Sequence, residues 1–232
     1  MVEIKGIEKF APKDFPGHLF ATLFLGGCNF RCPYCHNTSL VLNPDSLPAF
    51  PPEYLLGFLD SRKNWLEGIC ISGGEPLMHG EINTLCSLIK DRGFLVKIDT
   101  NGSFPRTLQA LFDEDLVDFL AMDIKAPLER YSEVVQVKTS TKNIQESIEI
   151  IMNSGKEYCF RTTVVPDLIR EQDIRKIAEL IRGAKLYQIQ QFQPAEAAEK
   201  DFQRKTPYSQ KTLEKFASQA ETYVKEVRLE GV

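Results

Sequence analysis

Apolar residues along this chain recur with two periods. Nearly unbroken apolar runs cover residues 19–25, 68–72, 94–99, 117–124, 158–165 and 185–192, the pattern of strands buried on both faces. Between them, apolar positions return every three or four residues. Leu55, Phe58 and Leu59 mark one helical face within 53–65, and Ile82, Leu85, Cys86 and Ile89 another within 82–92. Ile144, Ile148 and Ile151 do the same within 142–153, with Gly155 placed to end that helix. Residues 106–112, 171–182 and 209–225, the last carrying Leu213, Phe216, Ala217, Ala220 and Val224, complete the series. Six strands alternating with helices predict an α/β fold with a parallel sheet and right-handed crossovers. No repeat, low-complexity tract or linker divides the chain, so residues 1–232 read as a single domain.

Polar residues collect where each strand pattern stops. A cysteine-rich loop, residues 26–37, follows the first strand, and Ser72-Gly73-Gly74-Glu75-Pro76 follows the second. Asp99-Thr100-Asn101-Gly102 follows the third, and Asp123-Ile124-Lys125 ends the fourth. Arg161 is a lone charge within the fifth, while Gln191 and Gln193 stand at the end of the sixth. Parallel α/β folds place their sites at the C-terminal ends of the strands, so these six segments predict one functional rim.

Composition narrows the classes of function. With 232 residues, 43% hydrophobic and 26% charged, the chain is predicted to fold as a globular protein. A net charge of −4 argues against nucleic-acid binding, which needs a basic face. No apolar run approaches the roughly 18 residues of a membrane-spanning helix. The first nine residues, Met-Val-Glu-Ile-Lys-Gly-Ile-Glu-Lys, carry charges where a signal peptide needs an apolar stretch. A cytoplasmic, reducing location is the expectation, and there cysteines serve as ligands or core residues rather than disulfides.

The six cysteines divide accordingly. Cys70, Cys86 and Cys159 stand singly among apolar neighbours and read as buried thiols. Cys28, Cys32 and Cys35 form C-x3-C-x2-C within eight residues. Zinc would need a fourth ligand, for which His36 is the nearest candidate, but its place beside Cys35 makes joint ligation of one ion awkward. A [4Fe–4S] cube normally takes four cysteines. Three would leave one iron without a protein ligand, the open position that marks a catalytic metal site.

Cys-Asn-Phe-Arg-Cys-Pro-Tyr-Cys, with Tyr34 just before the third cysteine, resembles the signature of the radical S-adenosylmethionine enzymes. The segments Gly26 to Asn37 and Asp14-Phe15-Pro16-Gly17 narrow the resemblance to activating enzymes for glycyl radical proteins, above all those of anaerobic ribonucleotide reductases. The resemblance implies a radical SAM core, a partial (β/α)6 TIM-like barrel with a parallel six-stranded sheet. It also implies a [4Fe–4S] cluster on Cys28, Cys32 and Cys35, with S-adenosylmethionine chelating the free iron. One-electron cleavage would release a 5′-deoxyadenosyl radical that takes a Cα hydrogen from a glycine of a partner enzyme. The partner would be an anaerobic ribonucleoside-triphosphate reductase, and the electron would come from reduced flavodoxin or ferredoxin.

The same resemblance assigns cofactor contacts. Tyr34, Cys35 and His36 would approach the adenine, and Gly73, Gly74 and Glu75 the methionyl amino group. Asp99, Asp123 and Lys125 would meet the ribose or the charged methionyl end, or hold a monovalent cation beside it. Arg161 is open between a carboxylate of the cofactor or substrate and an internal ion pair with Asp123 or Asp99. Gln193 stands where some relatives present a histidine. Two alternatives remain at this point. One is a small-molecule radical enzyme akin to 7-carboxy-7-deazaguanine synthase, which shares Gly-Gly-Glu-Pro and Thr-Asn-Gly. The other is a non-enzymatic zinc-stabilised module. Six β/α units nearly exhaust the chain, so a protein substrate is expected to bring its own domain.

Overall fold

The computed structural model describes residues 2–12 and 17–231, without the side chain of Glu196. Asp14, Phe15 and Pro16, part of one motif above, lie outside the described residues. All six expected strands form, as β2 (Phe20–Leu25), β3 (Gly68–Gly73), β4 (Leu95–Thr100), β5 (Phe119–Asp123), β6 (Glu157–Val164) and β7 (Tyr187–Gln191). The sheet has eight strands rather than six. β1 (Ile4–Glu8) pairs antiparallel with β2, and β8 (Val227–Glu230) pairs parallel with β7. The spatial order is β1 through β8 without permutation, and β2 to β8 all run parallel. Sequential parallel order with helical crossovers is the topology of a (β/α) barrel, left open here because β1 and β8 are edges.

Nine α-helices are described: α1 (Thr38–Leu42), α2 (Pro52–Arg62), α3 (Ile82–Lys90), α4 (Pro105–Asp113), α5 (Tyr131–Val135), α6 (Thr141–Asn153), α7 (Glu171–Leu180), α8 (Lys200–Gln203) and α9 (Gln210–Ala220). The predicted apolar stripes face the sheet: Leu55, Phe58 and Leu59 of α2 are buried, as are Ile82, Leu85, Cys86 and Ile89 of α3. Gly155 closes α6 at φ 72°, a left-handed position that suits glycine. The last helix ends at Ala220 rather than 225, because the chain must turn to lay β8 along the sheet.

The helix side of the strands is largely apolar, whereas the concave side mixes apolar residues such as Phe20, Phe119 and Ala121 with polar ones. Val96, Ile98, Leu120, Met122, Phe160, Tyr187 and Ile189 are fully buried on the helix side. The concave side carries Lys97, Asp99, Asp123, Cys159, Arg161, Gln188 and Gln190. In place of a packed barrel core it encloses two cavities. One of about 430 Å³ lies toward the N-terminal ends of the strands, lined by Lys97, Cys159, Gln188, Gln190 and Glu230 among others. Cys159 is therefore not the fully buried thiol expected; it is half-buried and its Sγ donates to Gln188 Oε1 at 3.2 Å. Cys70 and Cys86 are buried as expected.

Candidate functional site

The second cavity, about 200 Å³, opens at the C-terminal ends of the strands. Cys28, Cys32, Cys35, Tyr34 and His36 line it from the loop after β2, Gly73 and Gly74 from the end of β3, and Asp99 from β4. Asp123 and Lys125 reach it from β5, and Arg161 from β6. Five of the six predicted segments thus meet on one rim. Gln193, after β7, is exposed and is not among the lining residues. Its amide lies instead beside Gly231, after β8.

The cysteine loop is held by its backbone. Gly27 N–H donates to Leu40 O at 2.7 Å, Arg31 N–H to Val135 O at 2.9 Å, and Glu199 N–H to Pro33 O at 3.0 Å. The Arg31 guanidinium caps Cys28 O and Phe30 O at 2.6 and 2.8 Å. Asn37 Nδ2 donates to Gly73 O at 2.7 Å, tying the loop to the glycine segment. That segment needs its glycines. Gly73 sits at φ +114° against the Leu25 backbone, and a Cβ on Gly74 would collide with Gly27 O. Gly74→Ala is therefore expected to cost about 3 kcal/mol or more, since the obstacle is backbone. Iron loading should fall with it, because Gly27 adjoins Cys28. Urea titration and iron assay of the reconstituted variant check both.

Glu75 lies beneath the rim rather than on it. It is fully buried, and its carboxylate accepts from Thr100 Oγ1 at 2.7 Å, Leu77 N–H at 3.0 Å and Asn101 N–H at 2.7 Å. Every contact is internal, so its acid side chain braces the β3 turn against the β4 turn. Burial pushes its carboxyl up to about 7, against the opposing pull of those hydrogen bonds. The native state then binds more protons than the unfolded chain, so this contribution to stability is complete below pH 4.5. It is lost as pH rises to about 7, on the order of 3 kcal/mol in all. Denaturation at pH 5, 6 and 7 should show the decline, and Glu75→Gln should flatten it.

The floor of the cavity is a charge ladder across three strands. The Lys97 ammonium pairs with Asp99 Oδ1, Arg161 Nη1 with Asp99 Oδ2 at 3.1 Å, Arg161 Nε with Asp123 Oδ1 at 2.7 Å, and Lys125 Nζ with Asp123 Oδ2 at 3.0 Å. Arg161 spans β5 because Ala121, in register with Asp99, leaves room above it. Burial alone would raise both carboxyls, but Arg161 and the lysines hold Asp99 and Asp123 below their usual range. Both ion pairs proposed for Arg161 exist together, and its guanidinium still lines the cavity. Three cations on two carboxylates leave a surplus positive charge, which suits an anionic group of a ligand.

Two of the thiols, Cys28 and Cys32, favour their protons until metal replaces them. Burial raises Cys28 and takes Cys32 to about 11. Among the described residues no three His, Cys, Asp or Glu side chains converge closely enough to share one ion. Three thiols spread around one cavity suit a polynuclear cluster, in which each sulfur addresses its own iron. The Tyr34 hydroxyl, buried in the cavity wall, has no partner among the described residues, and Gly73 and Gly74 bring backbone without side chains to the cavity lining. The donor set therefore fits an iron–sulfur cluster with a bound organic ligand.

Residues 22–181 match the profile of the radical SAM superfamily. The chain belongs to this superfamily. Radical SAM proteins use a [4Fe–4S] cluster and S-adenosylmethionine, the pair that this cavity fits. A Methanocaldococcus jannaschii protein bearing the name of a glycyl-radical enzyme activating enzyme is 33% identical over 97% of this chain and 94% of its own length. That match places this radical SAM protein among the glycyl-radical enzyme activating enzymes. The pyruvate formate-lyase-activating enzyme of Streptococcus mutans is 28% identical over 78% of this chain and 73% of its own. In fold, the chain is similar to Streptococcus suis SuiB bound to S-adenosylmethionine, with a TM-score of 0.69 at 14% identity over 88% of this chain. The chain spans about half the length of that structure, 48%.

Some residues around the radical SAM site escaped the sequence reading. Lys97, which lines the other cavity and reaches the site only through its pairing with Asp99, breaks an apolar run in the same way as Arg161, and that signal could have found it. Asn37 and Phe30 were legible only as members of the cysteine loop and Thr100 only as part of the segment ending β4, while Thr163 carries no signal that separates it from an ordinary strand residue. Among the described residues no helix is long and apolar enough to cross a membrane.

Proposed function

We propose that residues 1–232 act as one radical SAM domain that generates a glycyl radical on a partner enzyme, an anaerobic ribonucleoside-triphosphate reductase. The electron would come from reduced flavodoxin or ferredoxin. The observation that carries this reading is the meeting of Cys28, Cys32 and Cys35 with the Gly73–Gly74 turn on one cavity, in a chain similar along 97% of its length to an activating enzyme. When bound, the cluster and S-adenosylmethionine supply one-electron bond cleavage that no side chain here possesses.

The chain's own residues bind and orient. Cys28, Cys32 and Cys35 would give their protons to solvent and hold three irons. The Gly73–Gly74 backbone, packed against Leu25 and Gly27, would receive the methionyl amino group. Arg161 and Lys125, on the surplus-positive floor, would hold the carboxylate, while Asp99 and Asp123 keep both cations in place. Tyr34, Cys35 and His36 would flank the adenine. Gln193 would join only if the chain after β7 moved over the rim.

The test is anaerobic. Reconstituted protein, reductant and S-adenosylmethionine are incubated with an anaerobic ribonucleotide reductase, and the mixture is frozen for electron paramagnetic resonance. A stable glycyl radical signal on the reductase is the expected result. Cofactor cleavage with the reductase left unlabelled would overturn the partner, and a pterin-derived product would favour the small-molecule alternative. A colourless preparation containing zinc would overturn the cluster itself.

A further inference from the structure

The three candidate cluster ligands are not equivalent. Cys28 Sγ accepts from Phe30 N–H at 3.4 Å and from Asn101 Nδ2 at 3.9 Å. Among the described residues neither the Cys32 nor the Cys35 sulfur accepts such a bond. Asn101 comes from the turn after β4, a different strand from the cysteine loop, so its contact is tertiary and not a by-product of local chain geometry.

The orientation of the Asn101 amide is settled by its other bonds. Its Oδ1 accepts from Ser103 N–H at 2.9 Å and Ser103 Oγ at 2.5 Å, which only an oxygen can do for the backbone donor. The NH2 group must then face the cysteine loop. One of its hydrogens goes to Asn29 Oδ1 at 2.9 Å and the other points to Cys28 Sγ. Asn29 Nδ2 returns to Ser103 Oγ at 2.9 Å, closing a ring of three side chains beside the cysteine. Asn101 is buried, 6% exposed, and its own N–H is fixed by Glu75 Oε2 at 2.7 Å. Asn143 Nδ2 holds Ser103 O at 3.0 Å from outside. A buried, fully satisfied network of this kind fixes one geometry.

We propose that Asn101 is a positioning residue that donates a hydrogen bond to the Cys28 thiolate and thereby raises the reduction potential of the cluster. This rests on the cluster reading above. Hydrogen bonds to cluster sulfurs stabilise the reduced, more negative state, and outer partners of metal ligands tune the centre as the ligands themselves do. The Cys28 sulfur becomes a stronger acceptor once iron replaces its proton, so the existing donors gain in strength. Glu75 acts one step further out. It fixes the Asn101 backbone, which links the glycine-rich segment to the first cysteine without entering the cavity.

The experiment uses the reconstituted full chain without S-adenosylmethionine, so that the potential reports the cluster alone. Asn101→Asp keeps the acceptor for Ser103 but turns an oxygen toward Cys28. Its reduction equilibrium should shift at least about tenfold toward the oxidised cluster, a fall of about 59 mV for one electron. Ser103→Ala breaks the ring without removing the donor to Cys28; it should lower stability and leave the potential within twofold of wild type. Should Asn101→Asp fail to hold iron, wild-type protein labelled with 15N-asparagine serves instead. The reduced cluster should show a nitrogen coupling from the asparagine amide in pulsed paramagnetic resonance. An unchanged potential in a fully loaded Asn101→Asp variant, or no asparagine coupling in wild type, overturns the proposal. Wild-type protein that binds no iron overturns the cluster reading instead.

Discussion

Cys32→Ala is expected to lower iron binding at least 100-fold and abolish S-adenosylmethionine cleavage, while Cys86→Ala keeps both. The two residues are matched in chemistry and opposed in place. Cys32 lines the rim cavity beside Cys28 and Cys35, where burial has pushed its thiol up to about 11 and only a metal would draw off the proton. Loss of a ligand should exceed the 10–100-fold cost usual for an outer partner of a metal ligand. Cys86 is packed on the apolar face of α3 with Ile82, Leu85 and Ile89, and burial takes its thiol up to about 12 with no charged group contributing. Removing its sulfur should cost only about 1 kcal/mol, the scale of a small core deletion. Iron and sulfide assays after anaerobic reconstitution, with urea titrations, separate the two. Equal loss of iron in both variants would mean that the three-and-three division is wrong.

The grouping of Cys28, Cys32 and Cys35 on one cavity could be read from spacing, because a local motif carries its geometry in sequence, whereas the cavity-lining place of Cys159 could not. The six central strands were equally legible, since each is a run of five to eight residues with an amphipathic helix after it. The edge strands were not. β8 has four residues, too few to show a period, and in β1 the register shifts between Ile4 and Gly6. The short helices α1, α5 and α8 have four or five residues and no room for a stripe. At the site, Glu75 shows where sequence order misleads. It follows Gly73 and Gly74 directly, yet the backbone turns it under the rim to meet Thr100 and Asn101, partners set by the pairing of β3 with β4. Conversely, Arg161 was read as either a ligand group or an internal ion pair. It is paired and cavity-facing at once, because one guanidinium has donors for both.

Arg161→Met is expected to destabilise the fold by about 3–5 kcal/mol, the usual consequence of removing one partner from a buried ionic network. Arg161 serves two carboxylates, Asp99 at 3.1 Å and Asp123 at 2.7 Å, and its side chain is only 15% exposed. Without it, burial is opposed only by Lys97 at Asp99 and by Lys125 at Asp123, so both carboxyls should move up. The sign of the pH effect follows. In wild type both carboxyls sit below their usual 3.8, so their contribution is present above that value and is lost as pH falls beneath it. In the variant the raised carboxyls should make the loss smaller at pH 5 than at pH 8, which urea titrations at the two values will show. Arg161→Lys should recover less than half of the loss, since one ammonium lacks the fork that reaches both strands. The double variant Arg161→Met with Asp123→Leu should lose further stability, because Lys125 is then left without its carboxylate. Arg161→Met should also bind S-adenosylmethionine more weakly, because one of the two cations lining the cavity is gone. Unchanged binding in the folded Arg161→Met variant would show that Arg161 serves the fold alone.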